Sequence, residues 1–431
     1  MYKKNEKEKI KKLLENITIP ETYQIKQKLK QEKIDNISEE INYQFYKNEF
    51  YSELISRIKD KRKIGIAVGS RGIANLDKIV KSLVDCLIQF KNIDVIIIPA
   101  MGSHGGATAD GQKDILAEYG ITEEKMGVPI MKNMDTVILT NIDGEAVYWD
   151  KMAASLDAVV LINRVKPHTS FRHNVESGLF KIASIGLGNQ TGAAAIHKAG
   201  FKTLGDRIEK IGRYIFNQGN ILFGVAILEN AFDETQSIHF IFPENIPTVE
   251  PQLLKLAKKN IPQIPFENAD VLIVNEIGKN YSGPGADPNV TGRFASGIHS
   301  TGFQTTSLAF LNLSYESHGN ANGLGVADVV TQSLVSQMDL VAGYTNTLTS
   351  TLSENAKIPM IMPDEELAIK AAIKFSHQTN LEQLKLIRIK NTLELETMEI
   401  SRALLREAAK KDNIEIITGP EKMLFKNRRS L

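Results

Sequence analysis

The sequence has very little cysteine and almost no net charge. Cys86 is the single cysteine among 431 residues, which excludes an internal disulfide and a cysteine-rich zinc site. The formal net charge of +1 argues against a nucleic-acid or membrane-surface role driven by bulk electrostatics. No apolar run reaches the length of about 18 residues that a membrane-spanning helix needs. The basic amino-terminal segment lacks the apolar core of a secretory signal, so the cytoplasm is the default expectation.

Histidine is also scarce, and its distribution is uneven. Three of the eight histidines, His168, His173 and His197, fall between Leu161 and Gly200. An apolar run over 158–162 leads directly into a polar Arg-Val-Lys-Pro-His segment, as expected where a buried strand ends in a loop. Open α/β sheets bind ligands outside the carboxyl ends of their strands. We therefore expect the functional site around this stretch.

The alternation of strands, glycine turns and helices predicts an α/β fold with two α/β domains. The length exceeds that of one small core, and 42% apolar residues are ordinary for a globular protein. Strands separated by glycine turns and helices indicate a largely parallel sheet in the first domain. The active site is expected in the cleft between the domains. The strands predicted for the first sheet are 63–68, 95–99, 136–140, 158–162 and 222–228.

A cluster of prolines from Pro243 to Pro265 marks the predicted domain boundary. The second domain is expected to contain strands at 271–274 and 307–313, helices at 326–337 and 364–376, and a final helix near 394–410. The predicted division is a helical extension packed on the first domain (1–62), an amino-terminal catalytic and cofactor-binding α/β domain (63–250), a hinge (251–265), a carboxyl-terminal α/β domain that closes on the substrate (266–395) and a helical segment (396–431).

Chemically capable side chains follow three of the predicted strands. Arg71 and His104 lie in glycine-rich loops after the first two strands, and His168 follows a later one. Parallel strands bring such loops to one edge of the sheet, so these side chains are expected to converge. Histidine is suited to general base catalysis because its ordinary pKa lies near neutral pH. Lys181 has apolar neighbours that can lower its pKa and make the amine nucleophilic.

Two other interpretations of the same stretch remain open at this point. A turn from Gly186 to Gly192 before a helix can bind phosphate through backbone amides, although it fits the dinucleotide fingerprint poorly. His104, His168 and His197 can instead form a three-histidine zinc site, which would make the protein a metal-dependent hydrolase or a lyase. A nucleotide- or metal-binding protein without turnover is a further alternative.

The ordered set of motifs resembles the nickel-pincer-nucleotide lactate racemase family. The resemblance rests on His104 in its glycine loop, the Arg-Val-Lys-Pro-His run ending at His168, a Ser-Gly-x-x-Lys turn ending at Lys181, and His197 sixteen residues later. These motifs span roughly residues 60–230, and their ordered spacing is more specific than any one of them.

The resemblance implies a cofactor and roles for the site residues. The cofactor is a nickel-bearing pyridinium mononucleotide, with Lys181 as its covalent tether and His197 as a nickel ligand. His104 and His168 correspond to the two acid/base histidines, and Arg71 to an arginine near substrate or cofactor. Ser177 and Gly178, in the turn before the lysine, are expected to contact the cofactor.

The chain departs from the lactate racemase pattern at several positions. Val68 stands where that family carries an aspartate, and the span from His168 to Lys181 is about three residues longer, with His173 and Glu176 inside it. The polar loop over 276–293 does not reproduce the family's short glutamine–lysine substrate motif. These departures leave cofactor and reaction type better supported than the substrate. The loop residues predicted to bind substrate are Lys279, Tyr281, Asn289 and Arg293.

The expected activity is racemisation or epimerisation at C2 of a 2-hydroxy acid by hydride transfer. Many polar side chains in the 276–293 loop favour a substrate larger or more polar than lactate, such as a sugar acid, since unpaired buried polar groups cost about 1–3 kcal/mol each. The expected partners are this small molecule and, transiently, the enzymes that make the cofactor. No nucleic-acid or membrane partner is expected, and the oligomeric state is left open.

Overall fold

A computed structural model describes residues 2–69, 72–131, 133–198, 200–298 and 302–425. Its strands are β1 (Thr22–Gln27), β2 (Lys63–Val68), β3 (Asp94–Pro99), β4 (Thr136–Ile142), β5 (Glu145–Asp150), β6 (Ala158–Arg164), β7 (Ile221–Glu229), β8 (Thr235–Ile241), β9 (Asn268–Ile277), β10 (Gln304–Leu313), β11 (Val329–Thr331), β12 (Met360–Met362), β13 (Leu386–Ile389), β14 (Thr397–Ser401) and β15 (Ile414–Glu421).

Helices connect most of these strands. They are α1 (Lys4–Leu13), α2 (Ile37–Tyr46), α3 (Asn48–Ile58), α4 (Leu76–Leu87), α5 (Ala109–Glu118), α6 (Glu123–Met126), α7 (Lys151–Ser155), α8 (Leu179–Lys181), α9 (Asn189–His197), α10 (Leu204–Gln218), α11 (Ile246–Asn260), α12 (Pro288–Thr291), α13 (Gln332–Ser336), α14 (Leu340–Ser350), α15 (Glu365–Phe375) and α16 (Leu405–Ala408). A π-helical turn, Ile182–Gly186, separates α8 from α9. None of the helices in the described ranges is long and apolar enough to cross a membrane.

Residues Lys30–Ile261 form one compact unit around a five-stranded sheet. The strand order is β3-β2-β6-β7-β8, with parallel pairing throughout except for β8 at the edge. The chain passes from β2 outward to β3 and later returns to the other side of β2 as β6. The carboxyl ends of β2 and β6 therefore flank the switch point of the sheet, where α/β proteins form their ligand crevice. The predicted α/β class is confirmed.

The strands of this sheet form because both of their faces are buried. In β6, Val160 and Ile162 join the same apolar cluster as Ile64 and Ile66 of β2, while Leu161 faces the opposite side and is also fully buried. A parallel strand covered on both faces reads as a continuous apolar run. That is why the sequence alone places this strand correctly.

The prediction that residues 136–140 extend the parallel sheet is wrong. This segment, β4, forms an antiparallel hairpin with β5 that is separate from the five-stranded sheet. Its residues are half-buried or exposed, and Ile138 is 57% exposed, so neither face of this strand is covered as the faces of β6 are. The hairpin is joined to the unit through Trp149, which is 1% exposed and donates a hydrogen bond from Nε1 to the carbonyl of Ala183 in the π-helical turn (3.0 Å).

The second compact unit combines the described residues up to Leu29 with those from Pro262 onward. Its eight-stranded sheet has the order β12-β11-β10-β9-β13-β14-β1-β15. The first five strands are parallel and the last three pair antiparallel. In β9, Leu272 and Val274 belong to one apolar cluster and Val271 and Ile273 to another, so this sheet too is covered on both faces. It has its own switch point between β9 and β13.

The amino- and carboxyl-terminal segments differ from the prediction. Residues 1–62 are not a single helical extension, because β1 lies between β14 and β15 in the second sheet, while α2 and α3 belong to the other unit. Of the predicted helical segment 396–431, the described part up to residue 425 contains β14, β15 and the short α16. In β1, Ile25 is fully buried between its neighbours, a tertiary contact that outweighs the lysine-rich character of the segment.

Two predictions for the region 243–376 also differ from the structure. α11 runs from Ile246 to Asn260 through much of the predicted hinge, and the two units divide between Ile261 and Pro262. Residues 326–337 contain the strand β11 and the short α13 rather than one helix. Val329 and Val330 are fully buried against β10, and this parallel pairing outweighs the helical spacing of the segment.

Trp149→Phe should destabilise the unit that contains it by about 1–3 kcal/mol, because the carbonyl of Ala183 loses its hydrogen-bond donor. Urea unfolding followed by circular dichroism measures the change. Ile138→Ala, in the same hairpin but exposed, should change the free energy of unfolding by less than about 0.5 kcal/mol. Equal effects of the two substitutions would contradict the role assigned to the indole.

Candidate functional site

The loops after β2 and β6 are bonded to each other at the switch point. The amide of Gly69 donates to the carbonyl of Ile162 (3.1 Å), and Arg164 donates to the carbonyl of Gly72 (2.5 Å). Arg164 also forms an ion pair with Glu229 of β7. The two loops therefore lie side by side, as the sequence predicts. Arg71 lies outside the described residues, so its role stays a prediction.

The loop that carries His104 packs against the segment between Lys181 and His197. The amide of Gly102 donates to the carbonyl of Gly186 (3.0 Å). Gln112, which is 1% exposed, donates from Nε2 to the carbonyl of Gly102 (2.8 Å) and so holds this loop from α5. His104 is thereby placed on a loop bonded to the π-helical turn.

The turn before Lys181 is shaped by Gly178. This residue has φ +147° and ψ −147°, and a Cβ on it would lie 2.7 Å from the carboxyl carbon of Glu250. The carbonyl of Gly178 accepts a hydrogen bond from Asn163 Nδ2 at the end of β6 (2.8 Å). The Ser-Gly pattern is thus explained by a close approach that only glycine permits. Ser177, half-buried, lies on the same turn.

Glu250 of α11 supplies the cap for this turn. Its Oε2 accepts hydrogen bonds from the amides of Leu179 (2.6 Å) and Phe180 (3.2 Å), which are otherwise unpaired at the start of a helix. Burial raises the pKa of Glu250 to about 8, although the two amide bonds oppose the shift. The carboxyl group is therefore largely neutral near pH 7.

Lys181 sits in a desolvated and cationic environment. Burial, followed by the positive charge of Lys166, lowers its pKa to about 8. About a tenth of such an amine is unprotonated at pH 7, the state that a nucleophile requires, against well under one per cent for an ordinary lysine. The sequence-based expectation of a lowered pKa thus has a physical basis in the structure.

His168 is neutral, and its tautomer follows from a hydrogen bond. The amide of Ser170 donates to His168 Nδ1 (3.0 Å), so the ring proton is carried by Nε2. Burial, followed by the charges of Lys181 and His197, lowers the pKa of His168 well below its ordinary value. The ring lies 4.4 Å from that of Phe171 between centroids. His168 therefore presents an N–H donor in its resting state.

His197 has the opposite tautomer. Its Nδ1 lies 2.7 Å from the carbonyl of Ala193, one turn earlier in α9, so the proton is on Nδ1 and the Nε2 lone pair is directed elsewhere. Burial and the charge of Lys181 lower the pKa of His197, while the Ala193 carbonyl opposes the shift. A neutral histidine whose other nitrogen donates to a backbone carbonyl is the usual form of a metal ligand.

His168 and His197 both lie near Lys181, since the charge of Lys181 lowers the pKa of each. Lys166 and Arg172 belong to the same group, since their charges also lower the pKa of His168. We call these five residues the cationic cluster. A cluster of positive groups that disfavour one another's charge is complementary to an anionic ligand.

Glu176 holds the loop that contains His168. This carboxylate is 1% exposed and accepts hydrogen bonds from the amides of His168 (2.8 Å) and His173 (3.2 Å). It also pairs with Arg172 (3.5 Å) and with Lys258 of α11 (2.6 Å). The additional residues between His168 and Lys181 thus form a loop organised around one buried carboxylate.

His173, in the same loop, faces a different part of the unit. Its Nε2 lies 3.1 Å from Asp206 Oδ1 and its Nδ1 lies 3.5 Å from Glu209 Oε2, both on α10. Both ring nitrogens are therefore engaged by carboxylates. The geometry gives His173 a structural part in the loop.

The three-histidine zinc interpretation is not supported. Within the described ranges, which include His104, His168 and His197, no three His, Cys, Asp or Glu side chains are grouped so that they could hold a metal ion.

The phosphate-loop interpretation of Gly186–Gly192 is not supported either. A Cβ on Gly186 would lie 2.5 Å from the carbonyl oxygen of Ala100, and one on Gly192 would lie 3.3 Å from Tyr148. These glycines permit close packing of the turn against neighbouring backbone. Their presence is explained without a phosphate.

Asn163, Gln112 and Glu250 were not predicted from the sequence. Each contacts a residue that is not its neighbour in the sequence. Glu250 and Leu179, for example, are 71 residues apart. Asn163 had a usable signal, since it is a polar residue at the carboxyl end of a buried strand. Glu250 had none, because it lies in a proline-rich segment assigned to the domain boundary.

In the other unit, the predicted substrate residues Lys279 and Tyr281 lie after β9, beside the second switch point. Lys279 Nζ donates to the carbonyl of Gly283 (2.6 Å), and its amide donates to Ser317 Oγ (2.8 Å). Tyr281 donates to Glu276 (2.5 Å), and burial together with Glu276 raises the pKa of Tyr281 to about 12. Both residues therefore lie just beyond the carboxyl end of β9.

Asn289 and Arg293 do not join them. Asn289 donates to Asp287 through its amide (2.8 Å) and side chain (2.7 Å) at the start of α12. Arg293 donates to the carbonyls of Thr305 (3.2 Å) and Thr306 (2.6 Å), at the amino end of β10.

β9 and β10 are parallel and in register over their full length. Lys279 and Arg293 are therefore at opposite ends of the strands, roughly 25 Å apart at about 3.3 Å per residue. The structure therefore does not bring these two predicted substrate residues together.

Several polar side chains of this region, which the sequence analysis pairs with a larger substrate, satisfy one another within the unit. Ser314 Oγ donates to Asn280 (2.6 Å), Asn322 Nδ2 donates to the carbonyl of Gly283 (3.3 Å), and Thr347 donates to Asn322 (3.2 Å). These groups do not need a polyhydroxylated ligand to be paired.

Comparison with known proteins finds a distant structural likeness. Solved structures similar to this chain include the lactate racemase apoprotein from Thermoanaerobacterium thermosaccharolyticum, with 12% sequence identity, a TM-score of 0.47, and coverage of 86% of this chain and 88% of that one. No family model and no curated protein matches the chain. A TM-score below 0.5 does not indicate a function, so the functional proposal rests on the residues of the candidate site.

His168→Asn should reduce the loss of stability at acidic pH. Because the folded-state pKa of His168 lies below its ordinary value near 6.5, the unfolded chain binds more protons as the pH falls below about 6.5, and stability decreases. Asparagine can still accept from the Ser170 amide but does not titrate. The difference in unfolding free energy between pH 7 and pH 5 should shrink by about 2 kcal/mol. Urea unfolding at the two pH values measures it, and an unchanged difference would contradict the assignment.

Proposed function

We propose that this protein is a racemase or epimerase that inverts C2 of a 2-hydroxy acid, using a nickel-pincer nucleotide joined to Lys181. The observation that supports it best is the convergence of Lys181, His168 and His197 in one desolvated cationic cluster at the switch point of a parallel sheet. An amine with a pKa of about 8 beside two neutral histidines of opposite tautomer is suited to holding a group and moving protons.

The residues present fit the proposed cofactor. Lys181 offers a partly unprotonated amine for covalent attachment, and His197 offers the Nε2 lone pair of a neutral ring. When bound, such a group supplies the capacity to accept hydride from carbon and to return it.

The acid/base work falls to His104 and His168. In one direction a histidine takes the proton of the C2 hydroxyl group while hydride leaves C2, which produces a planar 2-keto acid. When hydride returns to the other face, the second histidine gives a proton to the oxygen. His168 rests with its proton on Nε2, so it is prepared to donate, and His104 is the base that begins this direction.

The substrate is an anion, in keeping with the charge of the cluster. The carboxylate of a 2-hydroxy acid is complementary to the positive charges of Lys166 and Arg172, which raise the cost of protonating His168. In the other unit, Lys279 and Tyr281 remain the proposed substrate contacts. A substrate larger than lactate, such as a sugar acid, remains part of the proposal.

The attachment of the cofactor can be tested by mass. Protein produced together with cofactor-making enzymes should carry an adduct on Lys181 that disappears in Lys181→Ala. Lys166→Met, a change in the same cluster, should keep the adduct, whereas His197→Ala should keep the organic adduct and lose nickel. Intact-protein mass spectrometry and metal analysis measure these outcomes, and an unmodified protein with full activity would refute the tether.

The reaction itself can be tested with single enantiomers of lactate, malate and aldonic acids in deuterated water. Inversion at C2 without deuterium incorporation, followed by NMR, is expected because hydride is returned to the carbon it left. His104→Ala and His168→Ala should each lower turnover by about 10²–10⁴-fold and affect the two directions unequally. His377→Asn, at an exposed histidine, is the control. Deuterium at C2 would exclude this mechanism.

A further inference from the structure

Glu250 is a fully buried acidic residue that the proposed reaction does not use. It is 0% exposed, and its Oε2 accepts from the amides of Leu179 and Phe180. Its Oε1 has no hydrogen-bond partner within the described part of the chain. Burying a carboxyl group with one oxygen unpaired is unfavourable. We therefore ask what the contact made by its Oε2 does for the site.

That contact fixes a peptide group next to Lys181. The carbonyl of Gly178 and the amide of Leu179 belong to one peptide unit, and both are held by side chains, from Asn163 (2.8 Å) and from Glu250 (2.6 Å) respectively. A planar peptide held at both polar atoms cannot rotate about its axis. The orientation of the first turn of α8 is thereby set from outside the helix.

The next residue is held as well. The amide of Phe180 donates to the same carboxyl oxygen, and its ring packs edge-on against that of Phe216 with centroids 4.9 Å apart. With residues 178–180 fixed, the direction of the bond from Cα to Cβ of Lys181 is fixed too. Gly178 allows the arrangement because a Cβ there would overlap the carboxyl group of Glu250.

We propose that Glu250 is a positioning residue for Lys181. Its carboxyl oxygen orients the turn so that the amine of Lys181 enters the desolvated cationic cluster with Lys166 and His168. The inference rests on the proposed function only for the task that it gives to Lys181. The positioning can be measured on protein that carries neither cofactor nor substrate.

The test is the pH dependence of Lys181 acylation in the cofactor-free protein. A water-soluble amine-acylating reagent is applied at limiting concentration from pH 6.5 to 10.5, and modification of Lys181 is quantified by peptide mass spectrometry relative to Lys151, whose side chain is 63% exposed. The wild-type protein should give a midpoint near pH 8 for Lys181.

Two substitutions at Glu250 distinguish the effect of side-chain length from the effect of the carboxyl group. Glu250→Gln keeps an oxygen at the same distance from the amides and should keep the midpoint. Glu250→Asp keeps the carboxyl group but is shorter by one methylene, so it should release the turn and move the midpoint towards the ordinary lysine value near 10.4. Relative labelling at pH 8 should then fall at least about tenfold. Lys255→Met, at an exposed position on the same helix, is the matched control and should keep the wild-type midpoint.

Several outcomes would overturn the proposal. They are a wild-type midpoint in Glu250→Asp, an equal shift in Glu250→Gln and Glu250→Asp, or an ordinary lysine midpoint in the wild-type protein. If Glu250→Asp does not fold, hydrogen exchange of the wild-type protein decides, since unprotected amides at Leu179 and Phe180 would exclude the contact. None of these results depends on turnover, so a lack of racemase activity would refute the proposed function and leave this inference standing.

Discussion

The arrangement of the site depends most on the hydrogen bonds and ion pairs made by the buried carboxylate of Glu176. A loop at the end of a strand has no ladder partners, so side chains must satisfy its backbone groups. Glu176 does this for the amides of His168 and His173 and is itself balanced by Arg172 and by Lys258, which lies 82 residues later in the chain. The position of His168 is therefore set jointly by its own loop and by α11. Because α11 also carries Glu250, one helix supports both sides of the candidate site.

Desolvation then determines the chemistry of the side chains that these contacts place together. It acts on His168, His197 and Lys181 in the same direction, favouring the uncharged form of each. The positive charges nearby strengthen the effect, and Lys181 keeps a pKa of about 8. Uncharged histidines can exchange protons with a substrate, and an uncharged amine can form a bond. The same positive charge is complementary to a carboxylate. In the proposed function, the lowered pKa values of these residues and the attraction of an anionic ligand thus have one physical cause.

The two units differ in how well their candidate residues could be predicted. In the first, the sequence predicts His168, Lys181 and His197 as site residues because they lie within forty residues of one another and follow a continuous apolar strand. In the second, the sequence predicts substrate contacts from Lys279 to Arg293 in the polar loop over 276–293, yet this loop runs back along the sheet. Arg293 consequently lies at the amino end of β10, bonded to Thr305 and Thr306. Local composition does not record where a loop turns back, and only the paired strands show it.

The sequence by itself determined the strands that are buried on both faces, the glycine turns after them, and the short span of chain that holds the reactive side chains. These features are local, since an apolar run, a glycine or a spacing is present in the chain before it folds. The tertiary structure alone decided that β4 forms a hairpin outside the sheet, that β1 lies between β14 and β15, and that His168 and His197 hold opposite tautomers. Each depends on a partner, whether a strand, a covering face or a hydrogen-bonding group, and that partner is brought within reach only when distant parts of the chain, or successive turns of a helix or loop, are folded together.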